Sequence, residues 1–157
     1  MKKKYALVGA STRAFYMYAK PLTTWLSEYA EVVGVYDVNT IRAGILSREN
    51  ANIPVFESFE SMISEGKPDA VIITVVDAYH HEYIIKSLEA GCDAITEKPM
   101  TIDAEKCRAI LEVEKRTGKK VIVTFNYRFA PYVTRIKELI KEGIVGEILN
   151  IDFEWML

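Results

Sequence analysis

The stretch "DAVIITVV", residues 69–76, constrains the chain more than any other. From Val71 to Val76 every residue is β-branched, and only Thr74 among them carries a polar atom. A strand with one wet face alternates apolar and polar residues; one that does not alternate is covered on both faces, as in a parallel sheet. The chain must therefore provide helices for two sides of a sheet, and its remaining pattern does so.

"YALVG" (5–9) reads as a strand, and Ala14 to Tyr29 as a helix interrupted near Pro21, which has no N–H to give. "VVGVYD" (32–37) is a second strand before the helical "TIRAGILSREN". A weak strand at "PVF" precedes the short helix "FESMISEG". After residues 69–76 comes "HHEYIIKSLEAG", with a Glu82–Lys86 pair and Gly91 placed to cap its end. "DAITE" is the next strand, followed by a helix started by Thr101 and Asp103 and running to Gly118. "KKVIVTF" and "YVTRIKELIKEG" complete the alternation. Strand and helix in strict turn predict a doubly wound parallel sheet of Rossmann type.

The last segment breaks this rhythm. In residues 146–157, apolar Ile148, Ile151, Phe153 and Trp155 alternate with Glu147, Asn150, Asp152 and Glu154, with Leu149 out of phase. It is expected to be the first strand of a truncated second domain, after a Rossmann domain over residues 1–145; an antiparallel edge strand of the same sheet is the other reading. Either edge is free to pair with another copy, which gives a route to a homo-oligomer.

Charge and cysteine content exclude several classes. A net charge of −2 offers no basic face for nucleic acid. No run approaches the roughly 20 apolar residues of a membrane span, and the apolar part of "MKKKYALVGAST" is too short for a signal peptide. Two cysteines, Cys92 and Cys107, make neither a disulfide framework nor a zinc site. The expectation is a cytoplasmic protein with reduced thiols and no metal.

In open α/β sheets ligands bind beyond the carboxyl ends of the strands. The first such turn is Gly9, Ala10, Ser11, Thr12, Arg13, Ala14. Against the dinucleotide pattern G-x-G-x-x-G/A, Gly9 fits the tight turn and Ala14 the helix-packing position. Ser11 stands where a second glycine lets phosphates approach; its side chain either crowds them or offers them a hydroxyl. Asp37 ends the second strand, 23 residues after Ala14, near the spacing of an acid that holds ribose hydroxyls. Its other reading is a helix cap, a role that Asn39 fills equally well. A carboxylate there repels a 2′-phosphate and favours NAD, while Arg13 and Arg42 leave NADP open.

"HHEYIIKSLEAGCDAITEKPMT" resembles the signature of the glucose–fructose oxidoreductase / inositol dehydrogenase (Gfo/Idh/MocA) family, in which a histidine opens a helix ending in "EAG" and the next strand ends in "EKP". "GASTRA" resembles that family's G-A-G-S-R-G turn, and "NYRF" (126–129) and the "GEI" segment are similar too. The resemblance covers the family's N-terminal half. It implies an NAD(P)-dependent dehydrogenase or reductase for a sugar, cyclitol or related polyol. Lys98 then matches the lysine that reaches the substrate oxygen beside the nicotinamide, with Glu97 helping to hold it and a cis bond before Pro99. Val75 to Asp77 stand where the family has T-P-N beside the cofactor, and His80 opens the helix nearby. Tyr127 and Arg128 approach substrate or cofactor, or else a domain interface. The isolated domain is expected to turn over little or nothing. A nucleotide-sensing pseudo-enzyme, or a Rossmann-type domain for another nucleotide such as S-adenosylmethionine, are the alternatives.

Overall fold

The computed structural model describes residues 1–154 and forms two compact units, Met1–Thr124 and Phe125–Leu157. The first unit is built on five parallel strands: β1 (Lys3–Val8), β2 (Ala30–Tyr36), β3 (Ala70–Ile73), β4 (Asp93–Glu97) and β5 (Val121–Thr124), in the order β2-β1-β3-β4-β5. The expected alternation is present, with one correction. "PVF" is no strand: Val55 makes a single bridge to Val35, because the chain crosses β2 there for one residue only.

All four residues of β3 are buried, as its unbroken apolar run requires. Its side chains divide between two cores by the period of two. Val71 and Ile73, with Ala6 and Val8 of β1, pack against Phe59 and Met62 of α3 (Phe59–Gly66), Ile84 and Leu88 of α4 (His80–Glu89), and Ile110 of α5 (Ala104–Thr117). Ile72, with Leu7 and Val35, packs on the other face against Ala14, Ala19, and Ala43 and Leu46 of α2 (Thr40–Glu49). Burying a Leu or Ile in this way contributes roughly 1.5–3 kcal/mol, so both layers matter to stability.

Helix ends follow their local chemistry. Asn39 and Asp103 cap α2 and α5 by accepting the N–H of Arg42 and Lys106. Gly118, at φ 70°, closes α5 in the left-handed conformation. The first helix departs most from expectation. Residues Ala14–Ala19 form a π-helix, and α1 is only Lys20–Thr23, with Pro21 in its first turn.

The second unit contains a 3₁₀ turn, Asn126–Phe129, and α6 (Pro131–Lys141), which begins with proline at its first position. Of the strand expected over 146–157, residues 146–154 hold no strand geometry and 155–157 lie outside the described residues. An alternating segment becomes a strand only by hydrogen bonding to another, and no ladder reaches it among the described residues.

Candidate functional site

Parallel order places the carboxyl ends of all five strands on one edge: Val8 pairs with Tyr36 and Ile73, Ile73 with Thr96, and Glu97 with Thr124. From β1 the chain moves outward to β2, then returns across β1 to β3. Strand order reverses there, and the crevice at such a reversal is where doubly wound sheets take ligands.

A cleft of about 710 Å³ opens at this point, within the size range of small-molecule pockets. Gly9, Ser11, Asp37, Arg42 and Val75, all singled out from the sequence, line it. Gly9 has φ +92°, and a Cβ there would stand 2.8 Å from the carbonyl carbon of Thr74. The turn therefore presses directly on the backbone leaving β3. Thr74 secures the contact by donating its hydroxyl to the Gly9 carbonyl at 2.8 Å.

Asp37 is tied into the turn. Its Oδ2 accepts the Ala10 N–H, and its Oδ1 accepts the Asn39 N–H at 2.7 Å. The helix cap is Asn39, not Asp37. Each carboxylate oxygen keeps a lone pair for a further donor such as a ribose hydroxyl. Ser11 Oγ accepts the Ala14 N–H at 3.1 Å, which leaves its own O–H to donate. A bare turn, a carboxylate with spare lone pairs and a free hydroxyl suit a dinucleotide's diphosphate and ribose.

Val38, Tyr79, Tyr36, Glu82 and Tyr83 make up most of the remaining wall and were not singled out from the sequence as site residues, whereas Val76 falls within the stretch from Val75 to Asp77. Burial, with the neighbouring Tyr36 phenol, pushes the Tyr83 hydroxyl up to about 12. Val38 lies in a loop and Tyr79 in a short 3₁₀ turn, where alternation carries no signal.

The other sequence-derived residues lie elsewhere. Lys98 is exposed after β4, joined to Pro99 by the expected cis bond. Among the described residues no hydrogen bond or ion pair engages its ammonium. Glu97 does not hold it. Glu97 Oε1 instead accepts the Tyr18 hydroxyl at 2.7 Å and lies 3.6 Å from Arg13 Nε. Tyr18 also stands 3.1 Å from the Thr124 hydroxyl, which donates to the Thr96 carbonyl. Burial pushes the Tyr18 phenol up to about 12; Thr124 opposes the shift and Glu97 adds to it.

His80 is fully buried, with Nδ1 2.7 Å from the Pro99 carbonyl and Nε2 3.1 Å from the Val75 carbonyl. It thus spans the turn after Lys98 and the cleft wall. A neutral ring donates to only one of them. Thr12 and Asp77 lie outside the cleft lining. Tyr127 and Arg128 belong to the second unit.

Comparison with known proteins gives this architecture a family. Residues 3–125 match the Gfo/Idh/MocA model, described as an oxidoreductase family with an NAD-binding Rossmann fold. The Bacillus subtilis protein YteT, itself only provisionally assigned as an oxidoreductase, is 37% identical over 99% of this chain and 37% of its own length. D-glucoside 3-dehydrogenase of Escherichia coli is 29% identical over 92% of the chain and 41% of its own length. The crystal structure of scyllo-inositol dehydrogenase from Lactobacillus casei superposes with a TM-score of 0.85 at 25% identity, over 94% of this chain and 44% of that one. The chain thus spans less than half the length of the relatives it matches. Because that model covers residues 3–125, most of the chain, the chain belongs to the Gfo/Idh/MocA oxidoreductase family as an NAD-binding Rossmann domain.

Proposed function

We propose that this chain is the cofactor-binding part of an NAD(P)-dependent oxidoreductase that moves hydride to or from a sugar, cyclitol or related polyol. The observation that carries the reading is the common edge. The Gly9 turn, Asp37 and Lys98 follow three strands whose carboxyl ends all point the same way. The names of relatives, a glucoside dehydrogenase and an inositol dehydrogenase, support the substrate class.

Bound cofactor supplies the hydride acceptor or donor. This chain's residues do the rest. Gly9 and Ser11 receive the diphosphate, and Asp37 accepts ribose hydroxyls. A phosphate on that ribose would meet the Asp37 charge, so NAD is favoured, while Arg42 in the same cleft tempers the preference. Val75 lines the wall beside the cofactor, with His80 behind it against the Val75 carbonyl, and Thr12, Arg13, Asp77 and Glu97 lie in the wider surroundings. Lys98, with no partner among the described residues, is free to stabilise a developing alkoxide by charge and hydrogen bond. Residues 146–154 form a strand when they pair with another strand, such as that of a second copy. The protein works in the cytoplasm.

Calorimetric titration with NAD and NADP, with S-adenosylmethionine as control, tests the reading. NAD is expected to bind most tightly, and Lys98→Met to leave its affinity within about twofold, because the ammonium acts on substrate oxygen rather than on the cofactor's anchor. The isolated chain is expected to show little or no turnover on a polyol panel. Preference for S-adenosylmethionine, or no binding of either dinucleotide, would end it.

A further inference from the structure

Two groups share one oxygen of Glu97, and they hold it differently. Tyr18 donates a hydrogen bond of 2.7 Å, whereas Arg13 Nε stands at 3.6 Å, an ion pair without a hydrogen bond. The Glu97 side chain is only 14% exposed, so the carboxylate needs a donor at all times. Tyr18 meets that need alone. Arg13, with 36% of its side chain exposed, is held loosely and on the outer side. It is also part of the turn that begins at Gly9, next to the residue whose N–H Ser11 accepts.

On the reading of the cleft as a dinucleotide site, we propose that Arg13 is an exchangeable clasp. In the ligand-free chain it pairs with Glu97 and ties the first turn to the end of β4. A diphosphate seated at the turn draws its guanidinium away, and Tyr18 keeps Glu97 satisfied once it has left. The occupant of the clasp is the diphosphate group itself, which can bridge two donors of a planar guanidinium where one carboxylate oxygen meets only Nε. Glu97 therefore competes with the ligand for Arg13, and the affinity for a diphosphate is set partly by a residue that need not touch it.

The test uses ADP, which carries the diphosphate without a nicotinamide, and adenosine, which carries neither. Glu97→Gln keeps an acceptor for Tyr18 and releases Arg13. It is expected to tighten ADP about two- to fivefold, as an ion pair of this exposure allows, and to leave adenosine unchanged. Arg13→Gln is expected to weaken ADP, and in that background Glu97→Gln should lose its effect. In the unaltered chain, the Arg13 Nε–H resonance should move on adding ADP and stay still on adding adenosine, a readout that needs no Glu97 variant. If ADP binds but Glu97→Gln leaves it unchanged or weaker, or tightens it equally without Arg13, the clasp is wrong while the site stands. An Arg13 resonance indifferent to bound ADP has the same meaning. If neither ADP nor adenosine binds, both fall.

Discussion

Replacing two glycines by alanine should move stability in opposite directions, and the structure says by how much. At Gly9 the new methyl would sit 2.8 Å from the Thr74 carbonyl carbon and 2.9 Å from both the Thr74 oxygen and the Val75 nitrogen. All three are backbone atoms of the segment leaving β3, so nothing can rotate aside. The overlap costs roughly 1–3 kcal/mol, as overpacking does. The φ of +92° adds a second cost of roughly 1–2 kcal/mol for an L side chain. Together roughly 2–5 kcal/mol is lost, which for a chain of this length lowers Tm by roughly 4–20 °C. Gly44 lies within α2, where an added Cβ meets nothing within 4 Å. There alanine should stabilise by roughly 0.5–1 kcal/mol, because it restricts the unfolded chain and favours the helix. Calorimetric melts of the two variants and the parent at one pH decide the matter. Shifts of the same sign, or a Gly9→Ala variant melting within about 1 °C of the parent, would refute a turn pressed against β3, since the estimate above starts at several degrees.

Two further outcomes follow from burial. The phenols of Tyr18 and Tyr83 both stand near 12, above the ordinary 10, so the folded chain favours their neutral forms. Their stabilising contribution is complete below pH 10 and is lost as pH rises from 10 to 12; Tyr18→Phe should therefore lose less stability over that window in urea titrations, and an identical loss in parent and variant would contradict it. Burial also raises the Cys92 thiol, which donates to the Pro68 carbonyl at 3.2 Å. Cys92 should resist a thiol reagent until the chain unfolds, and Cys92→Ser should leave the native-state reaction unchanged; rapid modification of Cys92 in folded protein would show that the sheet's end is open.

The fold was legible because burial imposes a period. The first half of the run from Val71 to Val76 reports covered faces: Val71, Ile72 and Ile73 divide between two cores, whereas Val76, beyond the strand's end at Ile73, is exposed. Caps were legible at Asp103 and Gly118 because their side-chain chemistry is local. Asp37 was legible as an acid at the end of β2, but which of Asp37 and Asn39 caps α2 depended on the backbone between them. Tyr18 was not legible as the partner of Glu97. The two lie 79 residues apart, and the π-helix over Ala14–Ala19 changes the helical phase that sequence periodicity assumes. "PVF" misled because three apolar residues look the same whether they make a strand or a single bridge.

The same edge that gathers the loops also sets what kind of ligand can use them all. Asp37 follows β2 and Lys98 follows β4, and the sheet order puts β1 and β3 between them. Three inter-strand steps amount to about 14 Å. A single nucleotide held by its ribose at Asp37 does not span that interval, whereas a dinucleotide lying across the Gly9 turn does. On the proposed reading, the two residues contribute to one event only through an elongated ligand, held at Asp37 and reacting near Lys98. Neither needs the other for its own geometry: Asp37 is fixed by the Ala10 and Asn39 N–H groups, and the segment carrying Lys98 by Tyr18 on Glu97 and by His80 facing the Pro99 carbonyl. Each flank is secured by its own hydrogen bonds, so on that reading release of a cofactor at one end need not disorder the other.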